Sequence, residues 1–265
     1  MESELVFRKT MEFSPKESSL FRASIDAVKE FLPTAQLRCS AEGVRINGMD
    51  GGHMGFVDYF LAAADMTTCK IPKPLTIGVS LAVLARVLAN IGSGDKLTLS
   101  VDPKKLDRLQ VSYTNEHVSK RGFYEIALLN IHEEVMGIPE LEYGADVQAK
   151  TSDILTAFRE VSAFGEFLDL TLDEDGFHIA ATGDMGSAKQ TLENIEGREM
   201  ALENGAAVTA KFAAKFLLTI LKGGGSLSSA ARIEFDEGKP LRASFHYGSG
   251  SHYVGYLAPR VAEDL

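Results

Sequence analysis

One pattern occurs twice in this chain, and it limits the folds open to it more than any other feature. Residues 35–55 read AQLRCSAEGVRINGMDGGHMG and residues 168–188 read LDLTLDEDGFHIAATGDMGSA, with the turn glycines Gly43 and Gly176 lying 133 residues apart. Each copy is an alternating apolar stretch, an acidic turn closed by glycine, and a second alternating stretch. Side chains of a strand point to opposite faces in turn, so a period of two interrupted by a turn glycine marks a β-hairpin. A hairpin repeated at this spacing predicts two similar units in one chain.

The flanks of the two hairpins correspond as well. Phe21, Ile25, Val28 and Leu32 fall on one helical face before the first hairpin, and Ile154, Leu155, Phe158 and Val161 do so before the second. Pro33 is expected to close the first of these helices. Beyond each hairpin a short strand (Thr76–Ser80; Ala206–Phe212) leads into a second apolar helix ending at glycines, Gly92 and Gly94 or Gly223–Gly225, which predicts C-capping there. Further strands follow, DRLQVSY in the first half and PLRASFHY in the second. The stretch KRGFYEIALLNIHEEVMGIPEL, residues 120–141, has no clean helical stripe and reads as an extended connector. The expected fold class is α+β, with domains at 1–127 and 144–265 joined by a connector at 128–143.

With 265 residues and 45% apolar content, the chain can bury a substantial core in each half. Cys39 and Cys69 form no CxxC pair and suit a reducing compartment. The N-terminal MESELVFRKTMEF lacks the apolar stretch of a signal peptide, and no run reaches the length of a membrane span, so a soluble protein without membrane contact is expected. Catalytic signatures are missing: no GxxxxGK[ST], no GxGxxG after a strand, no HExxH and no GxSxG. The six histidines stand at no metal-ligand spacing. Gly223–Gly225 follow a helix rather than precede one, the wrong dipole end for phosphate. DLTLDEDG lacks the ligand order of a calcium loop and reads as a solvated turn. The expectation is a protein with no catalytic residue, metal or cofactor.

A net charge of −10 argues at first against nucleic acid. Its distribution argues otherwise. The four candidate helices, 20–32, 80–92, 150–164 and 209–222, hold eight basic residues against four acidic ones. The basic set is Arg22, Lys29, Arg86, Lys150, Arg159, Lys211, Lys215 and Lys222, and no acid interrupts the last three. Basic helices on an acidic body suit one face turned to a phosphate backbone, which attracts without reading sequence.

These residues resemble the proliferating cell nuclear antigen family of DNA sliding clamps over 11–265. The marks are EGVRINGMDGGHMG (42–55), EEVMGIPELEY (133–143), ATGDMG (181–186) and YLAPR (256–260), in family order. The resemblance implies a DNA clamp fold: two domains, each a pair of β-α-β-β-β units. It further implies a head-to-tail homotrimer encircling duplex DNA, a processivity factor without enzymatic activity that serves replication and repair. Its implied partners are double-stranded DNA, itself, DNA polymerase and other proteins carrying a short clamp-binding peptide, and a clamp loader. Localisation would be nuclear in a eukaryotic cell, otherwise cytoplasm or a viral replication site. A peptide pocket would use Met49, His53, Met54, Met136, Ile138, Pro240, Tyr256, Ala258 and Pro259. The DNA face would use Arg22, Lys29, Arg86, Arg159, Lys215 and Lys222, with Lys150 and Lys211 adding charge. The subunit interface would pair Phe123, Tyr124, Glu125 and Ile126 with Ser187, Ala188, Lys189, Gln190, Thr191 and Leu192, edge to edge. The chain departs from the family in its N-terminal MESELVFRK, in Met136 where leucine is usual, and in neutral Ala23, Ala89 and Asn130. Alternative readings are a subunit of a heterotrimeric checkpoint clamp and a monomeric DNA-binding processivity factor.

Overall fold

A computed structural model describes residues 11–92, 94–102, 104–131, 137 and 141–260. The first half runs β1 (Met11–Pro15), α1 (Ser18–Lys29), β2 (Thr34–Ser40), β3 (Gly43–Met49), β4 (Gly55–Ala62), β5 (Met66–Lys70), β6 (Leu75–Ser80), α2 (Leu81–Leu88), β7 (Lys96–Val101), β8 (Arg108–Asn115) and β9 (Lys120–Ala127). The second runs β10 (Ala145–Lys150), α3 (Thr151–Val161), β11 (Phe167–Asp173), β12 (Gly176–Gly183), β13 (Gly186–Leu192), β14 (Glu199–Leu202), β15 (Val208–Ala213), α4 (Ala214–Gly225), β16 (Ala230–Phe235), β17 (Leu241–Tyr247) and β18 (Ser251–Leu257). Both halves are therefore one strand, a helix, five strands, a helix and three strands. A 3-10 turn at Ala63–Asp65 is the one helical insertion among the described residues.

The strand orders repeat in the same way. β5-β1-β7-β8-β9 corresponds to β14-β10-β16-β17-β18, and β4-β3-β2-β6 to β13-β12-β11-β15. The two hairpins expected from the sequence are β2–β3, closing at Ser40 opposite Gly43, and β11–β12, closing at Asp173 opposite Gly176. Their glycines do equivalent work. Gly43 has φ 150°, and a Cβ there would stand 2.1 Å from the carbonyl oxygen of Leu61 on β4. Gly176 has φ 141°, and its Cβ would stand 2.6 Å from the carbonyl oxygen of Leu192 on β13. Each turn glycine lets the third strand of its sheet pass close by.

By packing, the described residues form two compact units: one from 11–47, 59–131 and 248–251, the other from 48–58, 137–247 and 252–260. The first centres on Phe13 and Phe21, whose rings meet edge to face at 6.1 Å. The second centres on Phe158, Phe177 and Phe235, with successive ring centroids 6.1 and 5.8 Å apart. The apolar helix positions behave as their spacing predicts: Phe21, Ile25 and Val28, and Ile154, Phe158 and Val161, are buried. Leu155, next to Ile154 and so turned about 100° around the helix, is only half-buried.

Three local expectations are corrected. α2 ends at Leu88 with Ala89 as its C-cap, short of Gly92 and Gly94. The helix expected over 209–222 begins at Ala214, so Lys211 is a strand residue of β15. Gly223–Gly225 do not stop that helix as a cap; they form its last turn, and Ser226 is the C-cap. Gly224 is there for packing, since a Cβ on it would come within 2.3 Å of the Phe245 ring. The connector begins by lying along β6: Leu129 donates its amide to the carbonyl of Gly78 at 2.8 Å, and Gln36 donates to the carbonyl of Ile131 at 2.8 Å.

Candidate functional site

A cleft lies in the second unit, and a carboxylate builds one of its walls. Between β3 and β4 the chain must reverse through Asp50–Gly55. One oxygen of Asp50 accepts from the amides of Met54 (2.8 Å) and Gly55 (2.6 Å), and the other from Gly52 (2.9 Å). The Asp50 amide donates to the Gly55 carbonyl at 2.8 Å, and the His53 amide to the Asp50 carbonyl at 3.0 Å. This closed loop holds His53 at φ 56° and presents His53 and Met54 outward. Glycines at 51 and 52 keep its tip free of side chains.

The second wall comes from β18. Strand alternation puts Val254 and Tyr256 on one face, beside Phe56 of β4. Phe56, Val254 and Tyr256 form a small buried cluster with Met49 against it, and the Phe56 and Tyr256 rings meet at 5.8 Å and 61°. Past β18, the Ala258 amide donates to the Met54 carbonyl at 2.9 Å. The resulting cleft has a volume of about 300 Å³. Met49, His53, Met54, Pro240, Tyr256 and Ala258, all expected from the sequence, line it together. Pro259 is half-buried but outside the lining. Met136 and Ile138 lie outside the described residues. Sequence reasoning missed Phe56, Gly137 and Leu257. Phe56 and Leu257 are buried positions of alternating strands, and nothing local in the sequence sets them apart from core residues.

Charge sits on the strands next to β18. Glu234 on β16 is buried, and Arg242 on β17 pairs with both its oxygens, one contact measuring 2.6 Å. The Arg242 guanidinium also lies 5.0 Å from the centre of the Tyr143 ring. Burial pushes the pKa of the Tyr256 phenol above its ordinary value, and Arg242 partly opposes that shift. The cleft itself is apolar, with one exposed imidazole at its rim. Such a surface suits apolar and aromatic groups.

Two strands outside the cleft are open at their edges. β9 ends the sheet β5-β1-β7-β8-β9, and β13 ends β13-β12-β11-β15. These hold the residues expected at a subunit contact, Phe123–Ile126 and Ser187–Leu192. Side chains alternate along both: Phe123 is 58% exposed whereas Ile126 is buried. Tyr124 stacks on Tyr113 with centroids 6.3 Å apart, stiffening the first edge. Beside the second edge, the exposed ring of Phe164 borders Gly186 where β13 starts. Each edge offers unpaired backbone donors and acceptors to another strand.

The basic residues do not form one set. Lys215 and Lys222 lie seven residues apart on α4, exposed on one face with Thr219 between them. Arg86 on α2 and Arg159 on α3 are exposed, and Lys150 ends β10 just before α3. Arg22 of α1 donates to the Ile91 carbonyl at 3.3 Å, and Lys29 pairs with Asp26. Lys211 pairs with Asp169 across the β11–β15 ladder at 3.0 Å, which offsets its charge. Among the described residues no group of three or more histidine, cysteine, aspartate or glutamate side chains is arranged to hold a metal, and no helix is long and apolar enough to cross a membrane.

Comparison with known proteins accounts for nearly the whole chain. Residues 10–135 match the family described as proliferating cell nuclear antigen, N-terminal domain, and residues 137–260 match its C-terminal domain. Among relatives, proliferating cell nuclear antigen of Chaetomium thermophilum is 25% identical over 259 residues, covering 96% of this chain and 99% of that one. Proliferating cell nuclear antigen 2 of Drosophila melanogaster is 26% identical over 251 residues, covering 95% and 98%. The crystal structure of the corresponding antigen from Entamoeba histolytica superposes with a TM-score of 0.87 at 23% identity, over 95% of this chain and 99% of that one, and so shares the fold.

Proposed function

This chain belongs to the proliferating cell nuclear antigen family, whose members are non-enzymatic DNA sliding clamps and processivity factors, and on that premise we propose that it closes head to tail into a homotrimer around duplex DNA and tethers polymerase and other replication or repair proteins through the cleft. The observation that carries this reading is the pair of unlike open edges, β9 in one unit and β13 in the other. A contact between two different surfaces of the same chain is heterologous, and it ends only by closing into a ring. The apolar side chains flanking the edges, Phe123 and Phe164, supply burial that a bare strand ladder lacks.

The cleft supports the second half of the proposal. Its partners are proteins with a short segment carrying a glutamine, an aliphatic residue and two adjacent aromatics, the peptide class of the family. Met49 and Met54 adapt to varied aromatic shapes, and the Phe56–Tyr256 pair offers edge and face to a ring. The exposed cations of the helices, Arg86, Arg159, Lys215 and Lys222 above all, are the groups that would meet phosphate. In a eukaryotic cell the protein would act in the nucleus. Sedimentation of the purified protein over a dilution series tests assembly: a species of three chains is the expected result. Monomer alone at micromolar concentration would overturn the ring and favour a monomeric processivity factor instead.

A further inference from the structure

We infer that Arg198 is a positioning residue for the DNA face: by pairing with Asp153 it withdraws the carboxylate at the start of α3 from Lys150 and from bound phosphate, without reaching DNA itself. The inference rests on the proposed duplex-binding role of the helices and adds a residue outside their basic set.

The spacing of α3 sorts its polar side chains by face. Ser152, Thr156 and Arg159 stand at i, i+4 and i+7 and are exposed to solvent. Asp153 and Glu160, the two acids of the helix, also lie seven residues apart, on the flank that packs against β13. Glu160 accepts from Gln190 Nε2 on β13 at 2.9 Å. Asp153 accepts from Arg198 Nη2 at 3.0 Å. One segment, 190–198, therefore holds both acids, and of its two donors only Arg198 brings a charge. Arg198 is in turn fixed within the loop between β13 and β14. Its amide donates to the Ile195 carbonyl at 2.9 Å and its Nη1 to the Glu193 carbonyl at 3.3 Å. Gly197 just before it has φ 85°, the left-handed region that glycine enters without strain.

The Arg198 side chain is 17% exposed. A guanidinium so covered and so anchored faces α3 and not a phosphate. Its bond to Asp153 is the first cause holding that carboxyl below its ordinary pKa, so the acid is charged at neutral pH and needs a cation beside it. Lys150, the N-cap of α3, stands three residues before Asp153. Side chains three apart on a helix are neighbours, so without Arg198 the carboxylate would draw Lys150 to itself. A carboxylate left open beside a phosphate would also repel it. Arg198 removes both effects at once and leaves Lys150 and Arg159 as the charges that α3 presents.

The test measures binding of a short fluorescein-labelled duplex to the full chain at three salt concentrations. Arg198→Gln keeps a donor for Asp153 but loses the charge. Its affinity should fall by at least about twofold at low salt, the scale of one uncompensated charge about 6–10 Å from a phosphate in water, and the difference should fade as salt rises. Arg198→Gln with Asp153→Asn makes the pair neutral on both sides, and affinity should return to the wild-type value. Lys73→Gln, on the exposed loop between β5 and β6, removes one charge elsewhere and should change affinity less than Arg198→Gln does. Light scattering and circular dichroism should match wild type throughout; if Arg198→Gln does not fold, the neutral pair decides alone. Arg198→Gln binding as wild type, or no more weakly than Lys73→Gln, overturns the inference. So does a neutral pair that binds more weakly than wild type, which would make Arg198 a direct contact. A wild-type protein that binds the duplex no better than Lys215→Ala with Lys222→Ala overturns the DNA face instead.

Discussion

The amide of Ala258 and the carbonyl of Met54, 204 residues apart in sequence, share a 2.9 Å hydrogen bond that closes the cleft between the Asp50 loop and the end of β18. Both residues line the cleft, so the bond sets the separation of its two walls. The loop side of this arrangement depends on a single carboxylate.

Replacing Asp50 by alanine removes the acceptor of three backbone amides at once. A hydrogen bond to a charged group contributes about 1.5–3 kcal/mol, and partial access of water to the loop reduces the combined loss toward the lower end of that range. The folded protein should survive, with a modest drop in urea midpoint. Peptide affinity should fall further than stability, because His53 and Met54 lose their fixed presentation. Calorimetry beside a denaturation curve separates the two effects; equal peptide affinity in D50A would remove the loop from the site.

Phe123→Asp should dissociate the proposed ring without unfolding the chain. The side chain is exposed on β9, so the substitution costs the isolated unit almost nothing, while in an edge-to-edge contact it buries a charge without a partner. Light scattering at micromolar concentration should read one chain, with circular dichroism unchanged. A variant that keeps the wild-type mass would locate the contact elsewhere.

For DNA, Lys215→Ala with Lys222→Ala should weaken binding to every sequence alike and lower the slope of log K against log salt by roughly 2, since each phosphate that is no longer neutralised removes about 0.9. Lys211→Ala should change the slope less, since Asp169 at 3.0 Å already offsets that charge. Titrations of a short duplex at three salt concentrations measure both. A larger effect from Lys211 than from the α4 pair would reassign the basic face.

Gly224→Ala should destabilise the protein even though alanine is the better helix former. The added Cβ would lie 2.3 Å from the Phe245 ring, and that ring is fully buried. Overpacking of this kind costs about 1–3 kcal/mol, against a gain of about 1 kcal/mol in helix propensity. Gly225→Ala meets only the Thr151 methyl, at 3.1 Å, and should be milder. Guanidinium unfolding of the two variants should place G224A clearly below G225A; the reverse order would mean that α4 shifts to make room.

Asp95 should make stability fall in acid. Its carboxylate accepts from the Gly92 amide at 2.8 Å and from Asn115 at 2.6 Å, and these bonds hold its pKa below the ordinary carboxylate range. A depressed folded pKa stabilises the fold above the unfolded value, about 3.9, and the benefit disappears as pH drops through the folded value. Asp95→Asn should therefore be less stable than wild type at neutral pH, with the gap narrowing below about pH 4. Urea midpoints from pH 7 to pH 2.5 check this; a gap constant with pH would show that shape, not charge, is what position 95 supplies.

Local patterns carried much of the fold in readable form. The hairpins at Gly43 and Gly176, the helix faces of Phe21, Ile25 and Val28 and of Ile154, Phe158 and Val161, and the doubling of the unit all follow from periodicity and turn chemistry, which act over a few residues. Motif resemblance supplied most of the cleft residues, because Met49, His53, Met54, Tyr256 and Ala258 stand inside short recognisable strings. The rest was decided by packing between distant segments, and no local period records that. By local pattern Gly224 reads as a helix stop, whereas its place is set by the Phe245 ring packed against it, and Lys211 reads as a helix lysine, whereas it stands on β15 paired with Asp169. Phe56 entered the cleft only through its ring contact with Tyr256, 200 residues away. Glu234 and Arg242 read as ordinary alternating strand residues; only the antiparallel register of β16 and β17, which sets Glu234 opposite Arg242, turns them into an ion pair in the strands beside β18.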